Sequence, residues 1–460
     1  MTATAVTYQE VRDHNGRVYR VGESAEQIMG RSRAWMMWMP WLAMVGVSVF
    51  EYGYGAASKT LQEVHHWSLS QTFWLVAIWT VFQAGIAFPA GRLREKGVVS
   101  AKTAMLTGAV LVFIAFFFLG ESDSFLINLL TYGLLGGVGA GLVYATCINM
   151  VGKWFPEKRG GKTGFVNGGF AYGALPFIFI FSYAFNKQNF SWIMVLVGLW
   201  MLVIVGSCGF LFKDPPKNWW PKEIDPLQWA SQTKTDAARS LRKNPPAVKQ
   251  FGPLEAVKTG QLPLMWLTLA IIGGVSLFGI GYQVPFAKSL GFGPFVAAAS
   301  AGVLSLVNGI GRGVVGWLSD QMGRKQALIM VLLVEAVAQF GLLWSGNMHN
   351  EVLFIAFAFL AGFGGGAFFP MFAALTPDYF GENNNASNYG LVYSAKLVSG
   401  IVGFGAAASV VVAVGFTGAY IIAGAIAVVS ALLALGLRQP GRGGQQPAFT
   451  AGGAVTSTDT

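Results

Sequence analysis

Two basic side chains stand in stretches that otherwise carry no charge. Lys396 lies in Asn388-Tyr389-Gly390-Leu391-Val392-Tyr393-Ser394-Ala395-Lys396-Leu397-Val398-Ser399-Gly400, inside an apolar run that continues to about Ala413. Read as a helix rising 1.5 Å per residue, that run puts the ammonium roughly 13 Å from its start. Ionisable groups at such depth are costly and face a bundle interior or a water-filled cavity. The competing reading is a lysine whose stem snorkels back to the interface. Arg312, in Asn308-Gly309-Ile310-Gly311-Arg312, is a second cation in another apolar run without a neighbouring carboxylate. It precedes Asp320 by eight residues, roughly 12 Å along a helix, so its depth matches that of Lys396. Two positive groups at one level repel unless an anion sits between them. Arginine offers a planar fork to a carboxylate and lysine a compact point charge, so the expected ligand is small and anionic.

The elements that must hold these side chains follow from composition. Of 460 residues, 54% are hydrophobic and only 11% charged, against about 25% charged in soluble domains; the mean hydropathy is +0.53. This is the composition of a polytopic membrane protein. Residues 1–33 are polar, with charges of both signs, and lack the pattern of a cleaved leader. Cys147 and Cys208 both fall in apolar runs and read as small hydrophobes rather than a disulfide or metal site. Twelve runs are long enough to cross a bilayer: 34–56, 70–90, 103–119, 125–151, 164–186, 191–212, 262–284, 296–318, 326–345, 352–374, 389–413 and 415–437. The two tails and every second loop together hold 26 of the 31 Lys and Arg residues, whereas the remaining loops hold Lys59, Lys187 and Lys288. That bias puts both termini and the 213–261 segment in the cytoplasm, and it accounts for most of the +10 net charge. The expected organisation is a 1–33 cytoplasmic tail, six helices over 34–212, a Pro-rich basic connector over 213–261, six more helices over 262–437 and a disordered tail over 438–460. A short surface helix is expected within the connector around Trp229 to Arg242.

The two helix sets repeat at an offset of 226 residues: Gly53 and Gly55 fall on Gly279 and Gly281, Gly85 on Gly311, Gly97 on Gly323, Gly136 on Gly362, Gly139 on Gly365 and Gly164 on Gly390. An even helix count per half gives both halves the same orientation, the parallel-repeat plan of major facilitator transporters. Most of these glycines serve close helix packing. Gly316-Trp317-Leu318-Ser319-Asp320-Gln321-Met322-Gly323-Arg324-Lys325 resembles the signature loop of that superfamily. An aspartate beside Arg324 and Lys325 at a helix end makes charge-assisted bonds that lock one conformation, so Asp320, Arg324 and Lys325 read as a gate latch. The first-half equivalent, Gly91-Arg92-Leu93-Arg94-Glu95-Lys96-Gly97, has Arg94 where the repeat calls for aspartate; that latch is either degraded or differently paired.

Further segments are similar to the oxalate:formate antiporter family: Gly139 to Tyr144, Lys153 to Gly160, Asn308-Gly309 with Arg312, Asp378-Tyr379-Phe380-Gly381, and Asn388-Tyr389-Gly390 with Ala395-Lys396. The similarity covers roughly 33–438. It implies an all-α membrane protein of the major facilitator fold, with Arg312 and Lys396 binding the carboxylates of a small organic anion. It also implies an aromatic cage to which Tyr52, Tyr144, Tyr393 and Phe170 belong. This chain departs from the family at Glu51, where a glutamine is expected, and in the tenth helix, where the cage positions fall on Phe363 or Gly365 and on Ala367 or Phe369. Glu51 is a candidate proton carrier or a helix-end group in external water. Glu335, in a helix that is peripheral in this fold, reads as a packing or lipid-interface residue. The implied function is oxalate:formate-type antiport by rocker-switch alternating access, the alternative being proton-coupled monocarboxylate symport through Glu51. No enzymatic centre, cofactor or metal is expected, since no nucleophile and base pair, P-loop or metal-ligand cluster occurs. The expected partners are a small carboxylate, the lipid bilayer and, in the symport reading, protons; nucleic acid is not among them. The expected setting is a bacterial inner or plasma membrane, and the expected state a monomer.

Overall fold

The computed structural model describes residues 8–12, 18–231, 243–245, 247, 249–381 and 384–441. Among these, ten continuous helices are long and apolar enough to cross a membrane. The first crossing is not among the ten because Ser48 divides it into Trp35–Val47 and Val49–His65. The last two crossings count as one, Ser387–Leu435, although the chain turns between them at Gly415, where φ is 69° and ψ 175°. Only glycine takes that conformation without strain. Twelve spans result: Trp35–His65, Leu69–Arg94, Ala101–Glu121, Phe125–Trp154, Gly161–Tyr183, Phe190–Phe210, Gln261–Ser289, Pro294–Met322, Arg324–Asn347, Glu351–Phe380, and the two parts of Ser387–Leu435 on either side of Gly415.

The first span runs nine residues past its apolar run, to His65. Hydropathy misses this extension because it is amphipathic: Thr60, Leu61 and His65 are buried while Lys59 and Glu63 are exposed. The loop expected over 57–69 therefore shrinks to the few residues before Leu69, where Ser68 and Gln71 form a reciprocal capping box that satisfies the first free amides of the second span. Wide π-turns interrupt the fourth span at Leu129–Gly136 and the eleventh at Ile401–Ala406. The latter directly follows the turn bearing Lys396.

Glycines allow close backbone approaches between the halves. A Cβ on Gly55 would stand 2.3 Å from the carbonyl oxygen of Gly281, its repeat-related partner, so the first and seventh spans meet backbone to backbone. Phe73 stacks on Tyr282 beside that contact, with ring centres 3.9 Å apart. Trp74 packs on Gly405 at the same end. These contacts close the end of the bundle opposite the chain termini.

At the other end, described residues outside the spans pack together. A hairpin, β1 (Gln9–Arg12) with β2 (Val18–Val21), was not foreseen; its second strand continues onto the connector, where the Trp220 amide donates to the Arg20 carbonyl at 2.9 Å. Trp219 and Trp220 are buried, the former edge-on to Trp154 of the fourth span at 4.8 Å. The described connector holds two short helices, Pro226–Ser231 and Pro253–Lys258; the rest of the helix expected around Trp229 to Arg242, 232–242, and the tail beyond 441 lie outside the described residues. Cys147 and Cys208 are free and buried.

Candidate functional site

Arg312 projects from the eighth span and is 5% exposed. Its Nη1 donates to Asn167 Oδ1 at 2.6 Å, and its Nη2 to Asn308 Oδ1 at 2.9 Å and Tyr52 Oη at 3.2 Å. The Tyr52 hydroxyl in turn donates to Asn308 Oδ1 at 3.1 Å, and the Tyr144 hydroxyl to Asn167 Oδ1 at 3.0 Å. Every partner is neutral, Nε has none, and no carboxylate pairs with Arg312 among the described residues. An uncompensated guanidinium in a membrane core is costly, so this arrangement is poised for an anion.

Aromatic rings wall the guanidinium. Phe170 stands edge-on to both Tyr52 and Tyr144, at 6.2 and 5.3 Å. From the tenth span it is Phe369, not Phe363, that faces the site: its ring centre is 5.7 Å from the guanidinium carbon of Arg312, whereas Phe363 packs behind, on Gly311. Phe369 continues to Tyr393 at 6.3 Å, and Tyr393 to Tyr389 at 5.8 Å. Tyr144, Asn167, Phe369, Tyr389 and Tyr393 are half-buried.

Lys396 differs from the expectation of an anion shared with Arg312. Its Nζ lies 3.3 Å from Glu51 Oε1 and donates to Gln83 Oε1 at 3.1 Å, while Gln83 Nε2 donates to Glu51 Oε2 at 2.8 Å. The three residues close a ring in which all are buried, at 6%, 2% and 4% exposure for Lys396, Glu51 and Gln83. The protein itself supplies the counter-charge, so an anion is not required to hold the two cations apart. Nor does Glu51 reach external water: the extended first span puts it near mid-helix, and its neighbour Tyr52 joins the Arg312 network. Lysine does not snorkel here.

Asn167 and Gln83 were missed as site residues because neutral amides raise no electrostatic alarm. The available signal was isolation: Gln83 lies deep in the 70–90 apolar run and Asn167 in the 164–186 run. Glu335 does not sit at a lipid interface. It is 1% exposed and turned against the tenth span, where a Cβ on Gly364 would lie 2.7 Å from Oε2.

In the signature loop, Arg324 lies 3.7 Å from Asp320 and 3.1 Å from Asp378 at the end of the tenth span, and donates to the Ala374 carbonyl at 2.8 Å. Lys325 donates to the Leu435 carbonyl of the last span. The first-half loop is differently paired rather than degraded. Its Arg94 meets Asp214, just past the sixth span, at 2.8 Å; Lys153 meets the same carboxylate at 2.9 Å.

Twelve spans around an internal charged site, with backbone-tight contacts between two repeated halves, define a membrane transport protein. The comparisons with known proteins agree. The chain belongs to the Major Facilitator Superfamily, whose family model matches residues 40–395 and 322–457. It is similar to the oxalate:formate antiporter of Oxalobacter formigenes, 26% identical over 381 residues that cover 83% of this chain and 85% of that protein. It is also similar to the uncharacterised MFS-type transporter YhjX of Escherichia coli K12, at 27% over 77% and 84% of the two chains, and to monocarboxylate transporter 12-B of Danio rerio, at 24% over 66% of each. These relatives bear out the resemblance read from the motifs. Among solved structures, a POT family transporter superposes with a TM-score of 0.67 at 14% identity, over 90% of this chain and 97% of that one. A D-xylose-proton symporter gives 0.64 at 16%, over 86% and 96%. These last two likenesses carry the fold alone.

Proposed function

We propose that the protein carries small carboxylates across the membrane by alternating access between its two six-helix halves, with the substrate carboxylate held by Arg312. The observation that carries this reading is a buried guanidinium whose partners are all neutral and whose Nε has no partner. The names of two relatives, an oxalate:formate antiporter and a monocarboxylate transporter, support an organic anion as cargo. Tyr52, Tyr144, Phe170, Phe369 and Tyr393 form a connected aromatic wall around the Arg312 guanidinium. Arg312 and Lys396 against Glu51 leave one net positive charge, which suits a monoanion. A dianion such as oxalate fits when Glu51 carries a proton and Lys396 is released to bind it.

The Glu51–Lys396 pair favours a second reading on the same fold, in which the proton that separates the pair travels with the substrate as proton-coupled symport. Counterflow of labelled oxalate, formate, lactate and acetate in proteoliposomes, with and without a pH gradient, tests both. Exchange of oxalate for formate without a gradient supports antiport; accumulation of a monocarboxylate only with a gradient supports symport; failure of all four acids to exchange overturns the carboxylate reading. In the same proposal the loop Asp320-Arg324-Lys325 is a gate at the cytoplasmic end, both termini are cytoplasmic by their excess of basic residues, and the protein acts as a monomer in a bacterial inner or plasma membrane.

A further inference from the structure

Glu335 lies near the middle of the ninth span, outside the site above, in a polar core built by the second half alone. Its Oε1 accepts from Gln339 Nε2 at 2.9 Å, and its Oε2 has no partner. Gly364 and Gly365 of the tenth span make room for the carboxyl: a Cβ on either would lie 2.7 or 3.5 Å from Oε2. The same Gly365 position is 3.1 Å from Ser276 Oγ of the seventh span, whose hydroxyl donates to the Gly365 carbonyl. From the last span the facing titratable group is Tyr420, which donates to Gln283 Oε1 at 3.4 Å. From the eighth span Arg312 points the other way, onto Tyr52, Asn167 and Asn308. No cation faces Glu335 among the described residues. An ionised carboxylate so placed has neither counter-charge nor enough donors, and its burial is prohibitive; a neutral acid, with its own O–H to donate, is not.

We propose that Glu335 is a proton-binding site in the core of the second half, coupled through the tenth span to the Arg312 seat. The coupling rests on one short stretch of helix. Gly364 and Gly365 cradle Glu335, and the next residue, Gly366, is packed so tightly on Asn308 that a Cβ there would stand 2.3 Å from its carbonyl and 2.6 Å from its Oδ1. Asn308 is the residue that holds both Arg312 and Tyr52. Loss of the proton leaves a carboxylate that must draw in donors or move away from the glycines, and either motion displaces the strip against which Asn308 is set. A polar path also leads outward: Ser276, Gly279 and Gln283 share a face of the seventh span, and Gln339 Oε1 and Gln283 Nε2 are unpartnered along it. That path points to the end of the bundle where the first and seventh spans meet.

The test needs no substrate, so its failure is separable from failure of the carboxylate reading. Infrared difference spectra of the full-length protein in lipid nanodiscs, titrated between pH 5 and 10, should include a protonated carboxyl C=O band, distinct from any that Glu51→Gln removes, that disappears with a single midpoint. Glu335→Gln should delete that band. Gly364→Ala, which sets a methyl group against Oε2, should shift the midpoint and serves if the glutamine variant does not fold. Arg312→Gln should shift it at least threefold in proton affinity if the coupling is real. Survival of the full band in Glu335→Gln, or a midpoint unmoved by Gly364→Ala, overturns the proton site; a midpoint unmoved by Arg312→Gln overturns the coupling.

Discussion

Arg312 and Lys396 have the same formal charge and opposite surroundings. Arg312 is held by amide and phenol oxygens that orient the guanidinium without neutralising it, whereas Lys396 is neutralised by Glu51 and braced by Gln83. Arg312→Gln should weaken substrate binding by about 2–3 kcal/mol, roughly 30- to 150-fold, as expected for a charge-assisted contact. Arg312→Lys should recover only part of this, because a single ammonium does not reproduce the fork seated between Asn167 and Asn308; isothermal titration of the purified variants reads both. Glu51→Gln removes the counter-charge and leaves Lys396 buried and unpaired. In proteoliposomes it should abolish pH-driven accumulation, preserve exchange, and raise the preference for a dianion over a monoanion. An unchanged pH response in that variant would remove Glu51 from the coupling scheme.

At the scale of elements, the ion clusters at the ends of the second and eighth spans share one polarity, a basic side chain of the loop against a carboxylate at the end of another span. In the second half Arg324 reaches out to Asp378 on the tenth span; in the first half Arg94 and Lys153 both reach Asp214 at the end of the sixth. The connector takes part as well: Asn244 donates to the Ser319 carbonyl and accepts from the Arg324 amide, clasping the signature loop from outside. Asp320→Asn should therefore slow exchange while leaving substrate affinity within about twofold, since exposed ion pairs contribute only about 0–1 kcal/mol and act on conformation rather than on the distant seat. Asp214 offers a pH test. Burial alone would push its carboxyl up, but Arg94 and Lys153 outweigh that and hold it below the ordinary carboxylate value. A depressed folded-state pKa means stability that is full above the unfolded value, about 3.9, and lost as pH falls through the folded one. Thermal melts of the wild type should thus decline on acidification below about pH 4, and Asp214→Asn should melt lower at pH 7 with a shallower acid decline.

For the whole molecule, Gly55 and Gly281, related by the 226-residue repeat, bring the first and seventh spans together backbone to backbone. Gly55→Val places branched carbons where a backbone carbonyl already stands, so the end of the bundle opposite the termini should no longer close. Cysteines introduced near Tyr282 should then become reactive to a membrane-impermeant reagent, and exchange should fall at least tenfold while the protein still inserts and purifies. Undiminished exchange would show that this contact does not gate. Gly206→Ala in the sixth span is a matched control, since a Cβ there meets no atom within 4 Å.

What the amino-acid sequence determined by itself is everything that depends on local composition and spacing. Apolar run lengths set the number of crossings, the shared glycine offset set the repeat, and the isolation of Arg312 and Lys396 marked the site. Boundaries failed where a helix turned amphipathic, as in the extension to His65, because hydropathy measures mean polarity and not which side of a helix is covered. Only the tertiary structure decided the partners. Glu51 and Lys396 are 345 residues apart and Gln83 and Lys396 are 313 apart, and nothing local couples such positions. Azimuth around each helix, set by glycine contacts between spans, is what turned Glu51 inward to a lysine, Phe369 rather than Phe363 toward Arg312, and Glu335 away from lipid into a cradle of Gly364 and Gly365.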